Sequence, residues 1–471
     1  MPFTYNTPED EREMLQAIGV ESIDELLQQV PADFRLDREL NLPPALGEME
    51  LHQHTTELAS RNTSAQDAVC FLGGGCYDHF VPSVVDAIAS RGEFYTSYTP
   101  YQAEVAQGNL QAMFEYQTLI TRLTGLDVSN SSLYDGASAA AEAVLMALAA
   151  GKGRKKVVVP ITVHPEYRKT IETYLAGIDA EFVCVPVDLS AGASGAASIE
   201  SLSQAIDDQT ACVVIQQPNF FGCLEQVDEI TRLTHEAGAL LVAAFDPISL
   251  GLLKRPGDWN GGDGADIAVC EGQTLGSPMQ YGGPYLGVLA CRNSLVRRMP
   301  GRVVGQTTDR RGKSCFVLTL QTREQHIRRD KATSNVCSNQ GLFALRATVY
   351  LSLLGPQGLK ETAGLCLQKS RYLCERLCDT DRFQAAFTGA SFKEFVVRDL
   401  QSDVDGVIAQ GLESGFLAGV PLGRWYPELA DCLLIAVTEK RTREELDRFL
   451  QVFASEERNA KQAAPETLSV G

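Results

Sequence analysis

A chain of 471 residues, 44% hydrophobic and 21% charged, has ordinary globular composition and is long enough for more than one buried core. Its formal net charge of -19 opposes binding to nucleic acid or to an anionic membrane, since both would repel it. The acidic N-terminus MPFTYNTPEDEREM has no apolar centre and does not read as a secretory signal, and no run approaches the ~18 apolar residues of a membrane span.

The first 62 residues read as a helical arm. Thr7-Pro8 opens one helix, Ser22 caps a second with Glu25 three residues on, and Pro31 stops it. Residues 63–325 read as a large α/β domain. VPSVVDAIASRG and QGNLQAMFEYQTLITRLTG are helical, the second with Leu110, Met113, Phe114, Ile120 and Leu123 on one face, and NLQAMFEYQTLI is a candidate dimer surface. The alanine-rich helix SAAAEAVLMALAAG follows. Short valine-rich strands then alternate with helices: KVVVP, EFVCVPVD, ACVVIQQ, LLVAAFD, DIAVCEG and YLGVLAC. Such continuous apolar strands belong to a mostly parallel sheet covered on both faces. A helix near 338–354 leads into a smaller α+β domain, 326–455, with strands FKEFVVRD and CLLIAVTE and the helix TREELDRFLQVFAS. Residues 456–471 lack periodicity and read as a flexible tail.

The 13 cysteines contain no C-x-x-C spacing. Cys184 in FVCVPV and Cys212 in ACVVI read as buried, reduced thiols, which suits a cytoplasmic protein, and Cys374 and Cys378, four apart on a helix, read as core packing rather than a metal or redox pair. The six histidines form no H-x-x-x-H or H-E-x-x-H cluster, so no metal site is expected.

Four stretches carry chemistry. YDGASAAAEA sets Gly136 and Ser138 at a helix start, where free N–H groups and the helix dipole suit a phosphate, although a tight loop before a buried helix has the same look. His164 ends the strand of VVVPITVHPEY and is placed either to stack on a flat ring or to cap the next helix. Asp246 ends LLVAAFDPISLG, where a carboxylate suits a protonated ring nitrogen or simply opens an Asx turn before Pro247. The fourth, CEGQTLGSPMQYGGPYLG, has a loop rich in glycine and proline, and no lysine occurs between Lys254 and Lys313.

Together these stretches resemble fold-type I pyridoxal-phosphate-dependent transferases, in which a glycine- and serine-bearing helix start holds the phosphate, a His or aromatic stacks on the ring, an Asp pairs the ring nitrogen and a Lys forms the Schiff base. Longer matches are similar to the glycine cleavage system P-protein: FLGGGCYDHFVPSVVDAI, EFYTSYTPYQAEVAQGNLQAMFEYQTLITRLTGLDVSNSSLYDGASAAAEA and GRVVGQTTDRRGKSCFVLTLQTREQHIRRDKATSNVCSNQGL. In some bacteria that enzyme is split into two homologous subunits, and the resemblance is to the alpha, N-terminal-half subunit, which lacks the lysine. Aligning the family motif H-K-T-F-x-x-P-x-G-G-G-G-P on GQTLGSPMQYGGP brings Pro278 and Pro284 into register and sets Gln273 at the lysine position.

The resemblance implies that Gly136, Ser138, His164 and Asp246 are vestiges and that pyridoxal phosphate is bound covalently by the partner subunit. It also implies a heterotetramer of two alpha and two beta subunits that decarboxylates glycine, passing the aminomethyl group to the lipoyl arm of H-protein. This chain's contribution is expected from YTSYTPYQAE, where Tyr95, Tyr98, Tyr101 and Gln102 either meet glycine and the lipoyl path or only pack; His79 is a further candidate, either near that loop or structural. REQHIRRDKATSN, with Arg323, His326, Arg328, Arg329 and Lys331, is an interface candidate or a solvated charge run. The alternative is a purely structural or regulatory subunit with no active-site group.

Overall fold

The computed structural model describes residues 6–462. The chain divides into two compact units, one up to Thr63 and one from Ser64 onward. In the first, helix α1 (Pro8–Ile18) starts with a reciprocal cap: the Asp10 N–H donates to the Thr7 hydroxyl, and the Thr7 N–H donates to the Asp10 carboxylate at 2.7 Å. Ser22 caps α2 (Ile23–Leu26), and α3 (Glu48–Ala59) follows. None of these three helices buries a residue, and Phe34 and Met49 stand exposed.

The second unit starts with β1 (Val69–Cys70), α4 (Ser83–Ala89), α5 (Gly92–Tyr95) and α6 (Gln107–Thr124). Then come β2 (Val128–Ser129), α7 (Gly136–Ala150), β3 (Lys156–Pro160), α8 (Pro165–Leu175), β4 (Glu181–Val185), α9 (Ile199–Ala205), β5 (Thr210–Gln217), α10 (Val227–Glu236), β6 (Leu240–Phe245), β7 (Ile267–Glu271) and β8 (Gly287–Cys291). These strands form one seven-stranded sheet in the order β2-β8-β7-β6-β5-β3-β4, with β3 to β7 parallel and β8 and β2 antiparallel at one edge. Valines 157–159, 213–214, 242 and 269 are fully buried because helices cover both faces. Cys212 is buried as expected, whereas Cys184 is exposed: β4 is the sheet's edge, where alternate side chains face solvent.

A hairpin, β9 (Val303–Thr308) and β10 (Ser314–Thr319), and the short helix α11 (Gln325–Arg328) lead to α12 (Gly341–Cys378). The stop expected at 354 is a kink, with Gly355 at φ 58° and Pro356 restarting the helix for six more turns. Cys374 and Cys378 lie on its last turns and pack against the C-terminal core. That core is a four-stranded antiparallel sheet, β11 (Phe383–Ala385), β12 (Glu394–Asp399), β15 (Cys432–Ala436) and β14 (Val420–Pro421), with α13 (Val404–Glu413) and α14 (Arg443–Gln462). Between α13 and β14, β13 (Phe416–Leu417) pairs in parallel with β1, and Phe71 joins Phe416 and Phe449 in this core, so residues 69–71 pack with the C-terminal layer. Helix α14 extends into the stretch expected as a tail, and the rest of that stretch, 463–471, lies outside the described residues.

The two layers meet along a tight aromatic seam. Phe221 lies 5.0 Å from Phe387 and 5.1 Å from Tyr426, ring centre to ring centre. At Gly222 a side chain has no room: φ is +79° and a Cβ would stand 2.1 Å from the Glu394 carbonyl oxygen. Among the described residues no helix is long and apolar enough to cross a membrane.

Candidate functional site

Parallel α/β sheets place ligands at the carboxyl ends of their strands. Here those ends carry His164 after β3, Asp246 after β6 and Gln273 after β7. Asp246 closes the Asx turn, accepting the Ile248 N–H at 2.9 Å. Its other oxygen meets the Lys393 Nζ at 2.5 Å. Lys393 comes from the C-terminal layer, one residue before β12; its side chain is only 1% exposed and its φ is +62°, a conformation that L-residues seldom adopt. The Nζ also sits 3.3 Å from the centre of the Tyr77 ring and 3.3 Å from His79 Nε2. An ammonium only donates, so His79 Nε2 accepts, and the Nδ1–H goes to Glu439 Oε2 at 2.6 Å. Asp246, Lys393, His79 and Glu439 thus form one buried relay across the seam.

The helix start at Gly136 is occupied in the same manner. The Gly136 N–H donates to Glu271 Oε2 at 2.9 Å, and Glu271 Oε1 accepts from the Gln273 and Leu286 N–H groups at 2.9 and 3.0 Å. Burial pushes this carboxyl up to about 7, against those three donors, which pull it down. A Cβ on residue 136 would stand 1.9 Å from the Tyr167 hydroxyl, so glycine is needed here because tyrosine closes over it. The Ser138 N–H is taken by Asp135, the helix N-cap, at 2.7 Å. Tyr167 stacks on His164 with centroids 5.1 Å apart. His164 Nδ1 accepts from the Glu166 N–H at 3.1 Å, so its Nε2–H faces the Gly74 carbonyl at 2.6 Å, and burial holds its pKa down at about 4. Gln273 is fully buried: its amide accepts from the Tyr77 N–H at 3.0 Å and donates to the carbonyls of Tyr77 and Ser277 at 3.1 and 2.7 Å. The cavity among these groups is about 30 Å³, room for a water or two.

The glycine cleavage system P-protein family model matches residues 3–453. The chain belongs to that family. It is 53% identical over 456 residues to the probable glycine dehydrogenase (decarboxylating) subunit 1 of Carboxydothermus hydrogenoformans, covering 97% of this chain and 100% of that one. It is 50% identical to the protein of the same description from Desulforamulus reducens, covering 95% and 98%. A crystal structure of glycine decarboxylase (P-protein) of the glycine cleavage system, in inhibitor-bound form, superposes with a TM-score of 0.84 at 40% identity, over 96% of this chain and 99% of that one. The sphingosine-1-phosphate lyase of Burkholderia pseudomallei, at TM-score 0.65 and 16% identity over 92% and 96% of the two chains, shares the fold alone. The architecture is the fold-type I pyridoxal-phosphate one, with a large, mostly parallel sheet.

In this P-protein chain the residues at the fold's cofactor position do not fit pyridoxal phosphate. The helix start carries a carboxylate where a phosphate would need donors, Asp246 already has a cation, a tyrosine covers His164, and residue 273 is an amide with its hydrogen bonds made. Gly136, His164, Asp246 and Gln273 are therefore brought together, with His79 joined to them through Lys393. Ser138 is not part of the group: its hydroxyl pairs with Tyr174.

Elsewhere, Tyr95 ends α5, and Tyr98, Tyr101 and Gln102 lie on the exposed loop between α5 and α6. All four are exposed in the lone chain. Tyr98 is 89% exposed, while Tyr101 lies beside Arg302 and edge-on to His326. Tyr95 and Tyr98 wall a groove of about 230 Å³ together with Met113 and residues 338–345. The expected dimer face of α6 is otherwise used internally, with Leu110, Tyr116 and Ile120 fully buried. Arg323 donates to the carbonyls of Gly301 and Leu320 at 3.1 and 3.0 Å and Arg328 to that of Lys331 at 2.8 Å, so these two arginines hold local backbone rather than an anion.

Among the described residues, His79, Cys366 and Glu439 have donors that suit a metal and lie within 4.8 Å of one another. They are already hydrogen-bonded to each other, and burial pushes the Cys366 thiol up, which keeps it protonated. Sequence reading missed Tyr77, Tyr167, Glu271, Lys393, Glu394 and Glu439. The available signal was charge at the ends of apolar strands: Glu271 closes IAVCE, and Lys393-Glu394 open FKEFVV.

Proposed function

We propose that this chain is one subunit of the enzyme that decarboxylates glycine and hands the aminomethyl group to the lipoyl arm of H-protein. A homologous second subunit carries the lysine and the pyridoxal phosphate, in a heterotetramer of two subunits of each kind in the cytoplasm. Family membership and relatives described as subunit 1 support the reading. The observation that carries it is the filled pocket with Gln273 in place of a nucleophile. Bound on the partner, pyridoxal phosphate supplies the electron sink for the electrons left by departing CO2. This chain supplies Tyr95, Tyr98, Tyr101 and Gln102, whose exposed hydroxyl and amide groups orient the glycine carboxylate or line the lipoyl path once the partner covers them. His79 serves in the buried relay, holding Glu439, which in turn accepts the Phe80 N–H at 2.7 Å.

Tyr98 separates this reading from a purely structural subunit. Losing a hydroxyl that pairs a charged group in a closed site costs ~1–3 kcal/mol, or about ten- to a hundredfold in rate. Tyr98→Phe is expected to lower glycine decarboxylation by that factor in the assembled complex, with gel filtration unchanged. A wild-type rate in an intact complex means that the loop only packs.

A further inference from the structure

We propose that the fold's cofactor pocket has been rebuilt as an internal clasp, in which Lys393, Glu271 and Tyr167 stand in for the three recognised parts of the absent group. In this fold a carboxylate after β6 meets a cationic ring N–H; here Asp246 meets the Lys393 ammonium at 2.5 Å, the same charge presented to the same oxygen. A helix N-terminus in this position meets an anion; here the Gly136 N–H meets the Glu271 carboxylate at 2.9 Å. An aromatic residue after β3 meets a flat ring; here His164 meets Tyr167 at an interplanar angle of 29°. Each substitution keeps the sign or shape that the fold expects, and none of the three pairs uses the side chain of residue 273.

The clasp also joins the two layers. Asp246, Glu271 and His164 hang from the seven-stranded sheet, whereas Lys393 and Glu394 belong to the C-terminal layer. Glu394 accepts the Gly74 N–H and the Tyr77 hydroxyl, each at 2.7 Å, and Tyr77 in turn holds Gln273 through its backbone. Gly74 receives the His164 Nε2–H on its carbonyl, so the 73–79 segment is bonded to both layers. Lys393 keeps a left-handed φ of +62°, a strained conformation that persists where surrounding contacts over-determine it. The lost lysine is thus not the only change in this pocket: the space for the cofactor has been closed by side chains of matching charge.

The test uses a probe that needs no lysine. Pyridoxamine 5′-phosphate presents the same ring nitrogen and phosphate but forms no bond to a side chain. Equilibrium dialysis of the full-length wild-type chain against it is expected to show no retention beyond that of free phosphate-treated protein. Stoichiometric, saturable retention would overturn the clasp, because it would show an open pocket that lacks only its nucleophile. Gln273→Lys gives a second reading with pyridoxal phosphate: the folded variant is expected to gain no visible absorption band, and a band with one equivalent bound contradicts the proposal. If that variant fails to fold, the dialysis result on the wild-type chain decides. A failed glycine assay leaves the inference untouched, since it concerns only this chain's own pocket.

Discussion

Replacing Lys393 by methionine is expected to destabilise the second unit by ~3–5 kcal/mol, the usual cost of removing one partner of a buried ion pair. Methionine fills most of the stem's volume, so the loss is electrostatic. Asp246 keeps the Ile248 N–H but has no cation, the Tyr77 ring loses its ammonium, and His79 Nε2 loses its donor. The companion variant Asp246→Asn/Lys393→Met removes both charges and is expected to recover most of the loss, because neither variant residue carries an uncompensated charge. Urea unfolding of the three proteins checks this. A single variant within roughly 1 kcal/mol of wild type would mean that the pair acts as a surface bridge such as Lys169–Glu172 does.

The second large effect is a pH dependence at Glu439. Burial alone would raise this carboxyl, but the hydrogen bonds it accepts from His79 and the Phe80 N–H outweigh it and bring it from 4.5 down to about 2. A carboxyl held lower in the folded state favours folding above the unfolded value, and the contribution fades as pH falls through the folded one. The drop from 4.5 to about 2 corresponds to ~3 kcal/mol present at neutral pH and lost between about pH 4.5 and 2. Glu439→Gln is expected to be less stable than wild type at pH 7, with the gap closing as pH falls towards 3. Parallel stability profiles for the two proteins across that window would contradict the assignment.

The sheet was legible because its strands are valine runs bounded by turns, and a run that is apolar on both faces has few places to go but a covered parallel sheet. Asp246 was legible for a related reason, as the first polar residue after such a run, and His164 and Gln273 follow within a few residues of the ends of theirs. Their partners were not. Lys393 is 147 positions after Asp246 by number, and no local pattern announces that FKEFVV folds back over the sheet. Tyr167 has helical spacing and reads as one more residue of α8. The Tyr95–Glu104 loop showed its exposure in its composition, since hydroxyls, Pro100 and Gln102 suit no core strand. Cys184 misled because an edge strand carries the same apolar letters as a central one. The kink at Gly355-Pro356 read as an end because both residues interrupt a helix, and only packing on either side shows that it resumes.

The central claim is that this chain works beside a cofactor that it does not itself carry. The most direct measurement is borohydride reduction of the assembled two-subunit complex in pyridoxal phosphate, followed by peptide mapping of both chains and a glycine decarboxylation assay with H-protein on the unreduced sample. The account predicts decarboxylation by the complex and a stoichiometric pyridoxyl-lysine on the partner subunit alone. A stoichiometric pyridoxyl-lysine at one position of this chain, or glycine decarboxylation by this chain without its partner, would contradict it.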